Sequence, residues 1–328
     1  MKIAVRADAS REMGHGHVMR CLALAMALRD RGAEVSFHCR SLEGHAFPVI
    51  GQAGFACFPI APEEDVPACD WLIVDHYDLD ATWEGAQRRR AGRIMVIDDL
   101  ANRHHDCDLL LDQNLNPAGP ERYAPLLPLD CPQILGPHFA LLRPEFAFER
   151  GRVAPRSGHV ARLLVCFGGG DLDDVTGWVV DMLAEAFPQI SVDVVVGAAN
   201  PNVPSLRRRC EHHPHATLSV AVEDMARRMR RADLFIGGGG SITWERAALG
   251  LPGITLSIAA NQLPVAAAIA ARGAGVDMGR AEDTLPLALQ ARLGDLLSRP
   301  QFVQDMSLRL SALCDGGGAR RVATKMLN

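Results

Sequence analysis

Short, nearly continuous runs of apolar residues recur along the first half of the chain, and stretches with helical spacing separate them. Such runs are typical of strands that a parallel sheet buries on both faces. They span residues 2–5, 34–39, 71–75, 93–97 and 108–112. After the first run, apolar positions recur at helical spacing from residue 18 to residue 28, and Gly32 ends that predicted helix. The pattern predicts alternating strands and helices.

The same alternation restarts in the second half. Proline-rich turns occupy residues 117–144, and residues 143–159 combine prolines with charges and show no core face, which is typical of a domain linker. Further apolar runs follow at 161–167, 192–196, 217–220, 232–236 and 253–256. We predict an α/β protein with two Rossmann-like domains, 1–150 and 151–328, facing each other across a cleft. By analogy with such folds, the last helix, from about residue 319, is expected to cross back to the first domain.

Length, composition and charge narrow the class of protein. The chain has 328 residues, more than one ordinary core holds, and 48% of them are hydrophobic, which excludes disorder. No apolar run reaches the roughly 20 residues that span a bilayer, and no signal-peptide pattern precedes the first strand. The formal net charge of −5 argues against nucleic acid as a partner. We therefore expect a soluble cytoplasmic protein with neither a nucleic-acid nor a membrane partner.

Cysteine and histidine patterns do not indicate a metal. The sequence has nine cysteines and no Cys-x-x-Cys pair, which is typical of reduced, structural thiols. His212, His213 and His215 surround Pro214 in a predicted loop and lack the spacing of a helical ligand pair. We expect no metal and no cofactor.

Polar side chains cluster where the apolar runs of the first half end. The carboxyl ends of parallel strands form the ligand-binding edge of an open sheet. The clustered residues are Asp8, Asp75, His76, Tyr77, Asp98, Asp99, Gln113 and Asn114. Some of them will only cap loops, but carboxylates and amides at so many strand ends exceed what capping requires. The sequence therefore favours a binding cleft at this edge.

A polar, glycine-containing loop joins the first strand to the first helix. We expect Gly14 and Gly16 to adopt positive φ and to let a ligand approach the backbone. His17 stands at the start of the helix, where the positive end of the helix dipole favours a neutral imidazole. A neutral imidazole is what a general base requires near neutral pH. The alternative is a capping residue without chemistry. Asp8 and Asp99 are the candidate carboxylates for orienting the ring.

Four consecutive glycines, Gly237 to Gly240, precede Ser241 and a predicted helix. Bare backbone N–H groups and the helix dipole favour a phosphate there, and Ser241 could cap the helix, donate to the phosphate, or both. Glu245, one turn into the helix, could accept hydrogen bonds from a ribose. The alternative is a tight strand–helix turn without a ligand. Neither glycine-rich loop completes Gly-x-Gly-x-x-Gly and no P-loop occurs, which counts against a dinucleotide dehydrogenase and excludes a P-loop kinase.

Several motifs, in order along nearly the whole chain, together resemble one family. They are Arg6-x-Asp8, Gly14-x-Gly16-His17-Val18-Met19-Arg20, Asp98-Asp99-Leu100-Ala101, the block from His105 to Asn114, Leu141-Leu142-Arg143-Pro144-Glu145-Phe146, Gly168-Gly169-Gly170-Asp171, and the block from Gly239 to Glu245. They resemble the hydrolase of pseudaminic acid biosynthesis that cleaves UDP-2,4-diacetamido-2,4,6-trideoxy-β-L-altropyranose. The first and fourth motifs are specific, whereas glycosyltransferases of the same fold share the glycine-rich ones.

This resemblance implies a GT-B-type fold, with UDP on the C-terminal domain and the sugar facing the N-terminal domain. It implies hydrolysis at the anomeric carbon with inversion, in a pathway connected with flagellin glycosylation. His17 matches the catalytic histidine that activates water, and Glu245 matches the acidic residue that binds ribose. The implied UDP-binding positions are Val222, Gly239, Gly240, Ser241, Thr243 and Glu245. The implied sugar-side positions are Asp8, Gly14, Gly16, Arg20, Tyr77, Asp171 and Asn261.

Two other functions remain open at this point. A GT-B glycosyltransferase that moves the sugar to an acceptor would share the UDP turn and even a basic histidine, although the block from Asp98 to Asn114 favours the hydrolase. A non-catalytic nucleotide-sugar sensor would bind the ligand without turnover. For the hydrolase we expect a monomer that acts on a UDP-sugar and water. The stereochemistry of the sugar is not encoded in any motif.

Overall fold

The computed structural model describes residues 1–62, 64–116, 118–168, 171 and 173–328, which form two compact units. The first unit comprises Met1–Pro144 and Gly316–Asn328, and the second comprises Glu145–Asp315. The predicted division at 150/151 therefore differs from the structure at both ends of the second unit. At the N-terminal end of the second unit, Arg150 donates to the carbonyl oxygens of Ala248 (2.6 Å) and Cys314 (2.9 Å), so the segment just before residue 151 belongs to that unit.

In the described part of the first unit, seven strands form one parallel sheet in the order β3-β2-β1-β4-β5-β6-β7. The strands are β1 (Lys2–Ala7), β2 (Glu34–Cys39), β3 (Ala56–Pro59), β4 (Cys69–Asp75), β5 (Ala91–Ile97), β6 (Leu109–Asp112) and β7 (Gln133–Leu135). The helices between them are α1 (Gly16–Arg29), α2 (Phe47–Gln52) and α3 (Ala81–Gln87). The predicted strands and the first helix are confirmed, whereas β3 and β7 were not predicted.

The central strand β1 is buried on both faces, as its apolar run predicted. Ile3 and Val5 point into a core that includes α1, and Ala4 belongs to a second core on the other face with Leu72 of β4. β1 pairs in parallel with β2 on one side and with β4 on the other. The order in which successive strands are added to the sheet therefore reverses between β1 and β4. Ligands of open α/β sheets bind at such a switch point, beyond the carboxyl ends of the strands.

The second unit repeats this architecture. Within its described residues, six parallel strands follow the order β10-β9-β8-β11-β12-β13, with the switch point between β8 and β11. The strands are β8 (Arg162–Cys166), β9 (Ser191–Val196), β10 (Ala216–Val220), β11 (Leu234–Gly237), β12 (Gly253–Ser257) and β13 (Val276–Arg280). The helices are α4 (Pro144–Arg150), α5 (Val175–Ala186), α6 (Val203–His212), α7 (Met225–Arg231), α8 (Ile242–Ala248), α9 (Leu263–Ala271), α10 (Pro286–Leu297) and α11 (Pro300–Ser311).

The last helix, α12 (Gly318–Leu327), packs in the first unit, as the fold analogy predicted. Val322, Ala323 and Met326 are buried in the same core as α1. Arg31 reinforces this packing by donating to the Thr324 hydroxyl at 3.0 Å. The predicted assignment of residues 316–328 to the second domain is therefore wrong, because the apolar face of α12 is buried against α1. No helix of the described ranges is long and apolar enough to cross a bilayer.

Candidate active site

His17 lies in the first turn of α1, next to the carboxyl end of β4. Its Nδ1 is 2.5 Å from Oδ1 of Asp75, the last residue of β4. An ionised carboxylate only accepts hydrogen bonds, so in the neutral ring Nδ1 carries the proton and Nε2 holds the lone pair. In the part of the chain that the structure describes, no group hydrogen-bonds Nε2, and the side chain is 10% exposed. The arrangement suits a general base that takes a proton at Nε2.

Arg20 holds Asp75 in place from one helical turn further along α1. Its Nε donates to Oδ2 and its Nη2 to Oδ1 of Asp75, both at 2.6 Å. Burial would raise the pKa of Asp75, but the charges and hydrogen bonds of Arg20 and His17 outweigh it and hold that pKa well below its usual range. The carboxylate therefore stays ionised beside the imidazole. Asp75 is thus the partner of His17, and the hypothesis that Asp8 or Asp99 orients the ring is wrong.

Asp99 joins Tyr77 to the same cluster. Its carboxylate accepts from Arg20 Nη1 at 3.3 Å, from the Tyr77 hydroxyl at 3.0 Å and from Asn114 Nδ2 at 3.2 Å. The Tyr77 ring stands edge-on to the His17 ring, with centroids 4.6 Å apart and an interplanar angle of 86°. The structure thus brings together His17, Arg20 and Tyr77, which the sequence predicted separately.

Asp8 is fully buried and forms a second cluster at the ends of β1, β2 and β4. It accepts from Arg6 at 2.5 and 3.1 Å, from Arg40 N and Nε at 2.8 and 2.5 Å, and from His76 Nε2 at 3.0 Å. Burial raises its pKa, but these hydrogen bonds prevail and hold the pKa of Asp8 well below its usual range. This carboxylate joins three strand ends, so the structure gives it a structural role. A contact between Asp8 and substrate stays a prediction.

The two glycines of the first loop behave differently. Gly14 has φ +74° and donates from its N–H to Ser10 O at 2.9 Å, so it occupies the conformation that favours glycine. Gly16 is the first residue of α1 and has no positive φ, so that expectation is wrong for Gly16. Apart from the adjoining residues of the chain and the backbone of α1, no described atom lies within 4 Å of a Cβ built on either glycine. The loop therefore leaves open space beside both positions.

Asp171 caps a helix in the second unit. Its Oδ1 and Oδ2 accept from the N–H groups of Val175 and Thr176, each at 2.8 Å, at the start of α5. Both carboxylate oxygens thus serve the helix, and the implied contact with substrate stays a prediction. Gly168 has φ +85°, while Gly169 and Gly170 of the same motif lie outside the described residues.

The turn after β11 is shaped by close packing. A Cβ on Gly237 would lie 2.0 Å from the carbonyl oxygen of Cys166 at the end of β8, so only glycine fits there. Ser241 directly precedes α8, but within the described ranges its side chain caps no N–H of the helix. Nor do these ranges supply an acceptor for the N–H groups of Gly240, Ser241 and Ile242. The turn therefore presents donors, as an anion site requires.

The other implied UDP and sugar positions lie along the same sheet edge. Thr243 is buried in the first turn of α8, and its hydroxyl has no hydrogen-bond partner among the described atoms. Glu245 is half-buried in the same turn. Val222 is half-buried in the loop between β10 and α7, and Asn261 is exposed in a 3₁₀ turn (Ala260–Gln262) that follows β12. Among the described residues, no group of three or more His, Cys, Asp or Glu side chains is arranged to hold a metal ion.

Three residues of these clusters were not predicted. The sequence pattern marks Asp75 only as a polar strand end, and its pairing with His17 depends on β4 lying beside β1. Arg40 belongs to none of the motifs, although its position directly after the second predicted strand could have indicated a residue at the same sheet edge. Gln262, next to the implied Asn261, accepts from the N–H of Gly239 at 3.0 Å.

Comparisons with known proteins confirm the resemblance that the motifs suggested. No family model matches the chain. It is 27% identical over 284 residues to the UDP-2,4-diacetamido-2,4,6-trideoxy-beta-L-altropyranose hydrolase of Campylobacter jejuni, covering 84% of this chain and 99% of that protein. It is 30% identical over 203 residues to the spore coat polysaccharide biosynthesis protein SpsG of Bacillus subtilis, covering 57% of this chain and 56% of that protein.

Solved structures of glycosyltransferases share this fold. MurG of Acinetobacter baumannii superposes with a TM-score of 0.68 at 15% identity, with 99% of both chains covered. The spinosyn rhamnosyltransferase SpnG superposes with a TM-score of 0.66 at 16% identity, with 100% of both chains covered. At such identities the likeness shows the fold alone. The predicted α/β class of the GT-B type is thereby confirmed.

Proposed function

We propose that this chain hydrolyses a UDP-linked 2,4-diacetamido-2,4,6-trideoxy sugar at its anomeric carbon, releasing UDP and the free sugar with inversion, in pseudaminic acid biosynthesis. The observation that carries the proposal is the buried hydrogen bond between His17 and Asp75, which leaves Nε2 as the basic nitrogen. The similarity to the Campylobacter jejuni hydrolase, over 84% of this chain, supports the substrate and the reaction class.

In the proposed reaction, His17 removes a proton from water at Nε2. The water oxygen bonds to the anomeric carbon from the face opposite UDP, and the bond between that carbon and the β-phosphate oxygen breaks. The electron pair leaves with UDP, which is a good leaving group, so no strong general acid is required. Asp75 stabilises the imidazolium that forms, and Arg20 keeps Asp75 ionised and oriented. A positioned base of this kind contributes about 10²- to 10⁴-fold in rate.

The second unit supplies the proposed nucleotide site. The turn from Gly239 to Ser241 favours the diphosphate, since the N–H groups of Gly240 and Ser241 have no acceptor among the described residues. We assign the ribose to Glu245, the uracil to the backbone near Val222 and the sugar side to Asn261. Thr243 completes this set as a buried hydroxyl beside the turn. We further propose a monomer that needs no metal.

The test is UDP release from the UDP-linked altro-configured sugar, without an acceptor and without added metal, for the wild type and His17→Ala. We expect release by the wild type and a loss of about 10²-fold or more in the variant. His104→Ala, an exposed histidine of the same unit, is the matched control and should keep its rate. Equal release by wild type and His17→Ala would remove His17 from the mechanism. Release only after an acceptor is added would indicate a glycosyltransferase, and UDP binding without turnover would indicate a sensor.

A further inference from the structure

One side chain, Gln262, connects two loops at the carboxyl edge of the second sheet. It is the last residue of the 3₁₀ turn that follows β12. Its Oε1 accepts from Gly239 N at 3.0 Å and from Ile258 N at 3.1 Å. Gly239 belongs to the turn after β11, and Ile258 directly follows β12. A single carbonyl oxygen therefore fixes the turn after β11 to the loop after the neighbouring strand.

The hydrogen bonds also fix which way the amide of Gln262 faces. Both partners of the side chain are backbone N–H donors, so the oxygen must face them and the NH₂ group must face away. A Cβ built on Gly240 would lie 3.7 Å from Nε2, which places the NH₂ group beside that glycine. Nothing in the described ranges accepts a hydrogen bond from Nε2. The amide thus adds two N–H donors next to the turn.

Close packing shows that the turn is pressed against Gln262. A Cβ on Gly239 would lie 3.3 Å from Cβ of Gln262 and 3.1 Å from Cγ2 of Thr255. Gln262 also accepts the hydrogen bond of the Gly239 N–H, whereas the N–H groups of Gly240 and Ser241 have no acceptor among the described residues. The side chain therefore sets both the shape of the turn and which of its donors remain available.

We propose that Gln262 is a positioning and specificity-determining residue for a nucleoside diphosphate: its oxygen fixes the turn of Gly239 and Gly240, and its NH₂ group donates to the bound phosphates. This deepens the proposed function and rests on its assignment of UDP to this turn. A neutral amide suits this place, because a carboxylate of the same shape would repel the phosphates while keeping both bonds to the backbone.

The test compares Gln262→Glu with Gln262→Ala by calorimetric titration with UDP and with uridine, together with thermal unfolding. Glutamate keeps an oxygen for Gly239 and Ile258, so the unfolding temperature should stay near that of the wild type. Loss of a hydrogen bond to a charged group should weaken UDP binding about 10- to 100-fold. Uridine, which lacks phosphates, should bind to Gln262→Glu about as well as to the wild type. Gln262→Ala should lose both unfolding temperature and UDP affinity, because two backbone donors lose their acceptor.

Gln290→Glu, half-exposed on α10 of the same unit, is the control for the added charge and should bind UDP normally. Unchanged UDP binding by Gln262→Glu would overturn the inference and leave the hydrolase proposal intact, as would equal losses for UDP and uridine. If the wild type binds UDP but hydrolyses no UDP-sugar, and Gln262→Glu binds UDP more weakly, the role of Gln262 is supported and the proposed hydrolase activity is refuted. A wild type that binds no UDP would overturn both.

Discussion

Replacing Asp75 by asparagine removes the negative charge beside His17 with almost no change in side-chain shape. The carboxylate is buried and accepts from Arg20 at 2.6 Å twice and from His17 at 2.5 Å. In the variant the amide oxygen should stay with the charged guanidinium of Arg20, so the NH₂ group faces Nδ1 of His17 and donates to it. The ring then carries its proton on Nε2, where it cannot accept one from water. We expect the rate of UDP release to fall about 10²- to 10⁴-fold.

The same change should destabilise the first unit. Removing one partner of a buried ion pair costs about 3–5 kcal/mol, because the remaining charge stays buried without compensation. Arg20 keeps Asp99 at 3.3 Å, so we expect the lower end, about 3 kcal/mol. The pKa of Asp75 is lowered in the folded state, so its stabilisation is fully present above about pH 4, the unfolded value. This stabilisation is lost as the pH falls through the lower pKa of the folded state. The difference in free energy of unfolding between variant and wild type should therefore shrink in that range.

The assays are urea unfolding followed by fluorescence, and UDP release under conditions where the variant is folded. Asp70→Asn is the matched control, because Asp70 is exposed at the opposite end of the same strand. It should change stability by no more than about 0.5 kcal/mol and leave the rate unaffected. A folded Asp75→Asn variant that keeps its rate within about tenfold would refute the orienting role of this carboxylate.

Further outcomes follow from single contacts. Gly237→Ala should destabilise the second unit by about 3 kcal/mol or more, since its Cβ would meet the Cys166 carbonyl oxygen at 2.0 Å. Gly14→Ala, with open space but φ +74°, should cost only about 1–2 kcal/mol in the same urea titration; equal losses would contradict the packing argument. Burial, aided by the neighbouring carboxylate of Asp99, raises the pKa of Asp112 to about 6, so NMR of the carboxyl group should show it titrating near pH 6. Because the folded state holds this proton more tightly than the unfolded state, Asp112 contributes stability that is lost as the pH rises through about 6. Titration of Asp112 near pH 4 would refute this. Tyr77→Phe removes a 3.0 Å hydrogen bond but keeps the ring against the imidazole, so unfolding should shift by about 1 kcal/mol, and no shift would show that the hydroxyl bond contributes nothing.

The elements around the candidate site followed from local patterns. The runs at 2–5 and 71–75 are apolar at nearly every position because a central strand is buried on both faces, and they predicted β1 and β4 without any knowledge of their partners. Glycines and a helical period likewise predicted the first helix and the turn after β11. The edge strands β3 and β7 do not follow from the sequence pattern, because strands of four and three residues are too short to show a period.

The contacts of Gln262 and the position of the last helix depended on the folded chain. Gln262 meets Gly239 only because β11 and β12 are neighbours, an order that no spacing of apolar residues specifies. The apolar face of α12 was visible in the sequence, but only the packing shows that it is buried against α1 and not in the second unit.

The order of amino acids specifies which residue types stand at the strand ends, and the folded chain determines which of them come into contact. His17 had several candidate carboxylates, and its partner Asp75 lies 58 positions away. Asp8 is close in the chain, but arginines and a histidine occupy its oxygens, and Asp99 follows β5, which lies one strand beyond β4. Apolar periodicity specifies that a strand is buried, whereas the order of strands depends on long-range packing. That order places the carboxyl end of β4 beside that of β1, and so brings Asp75 to the base.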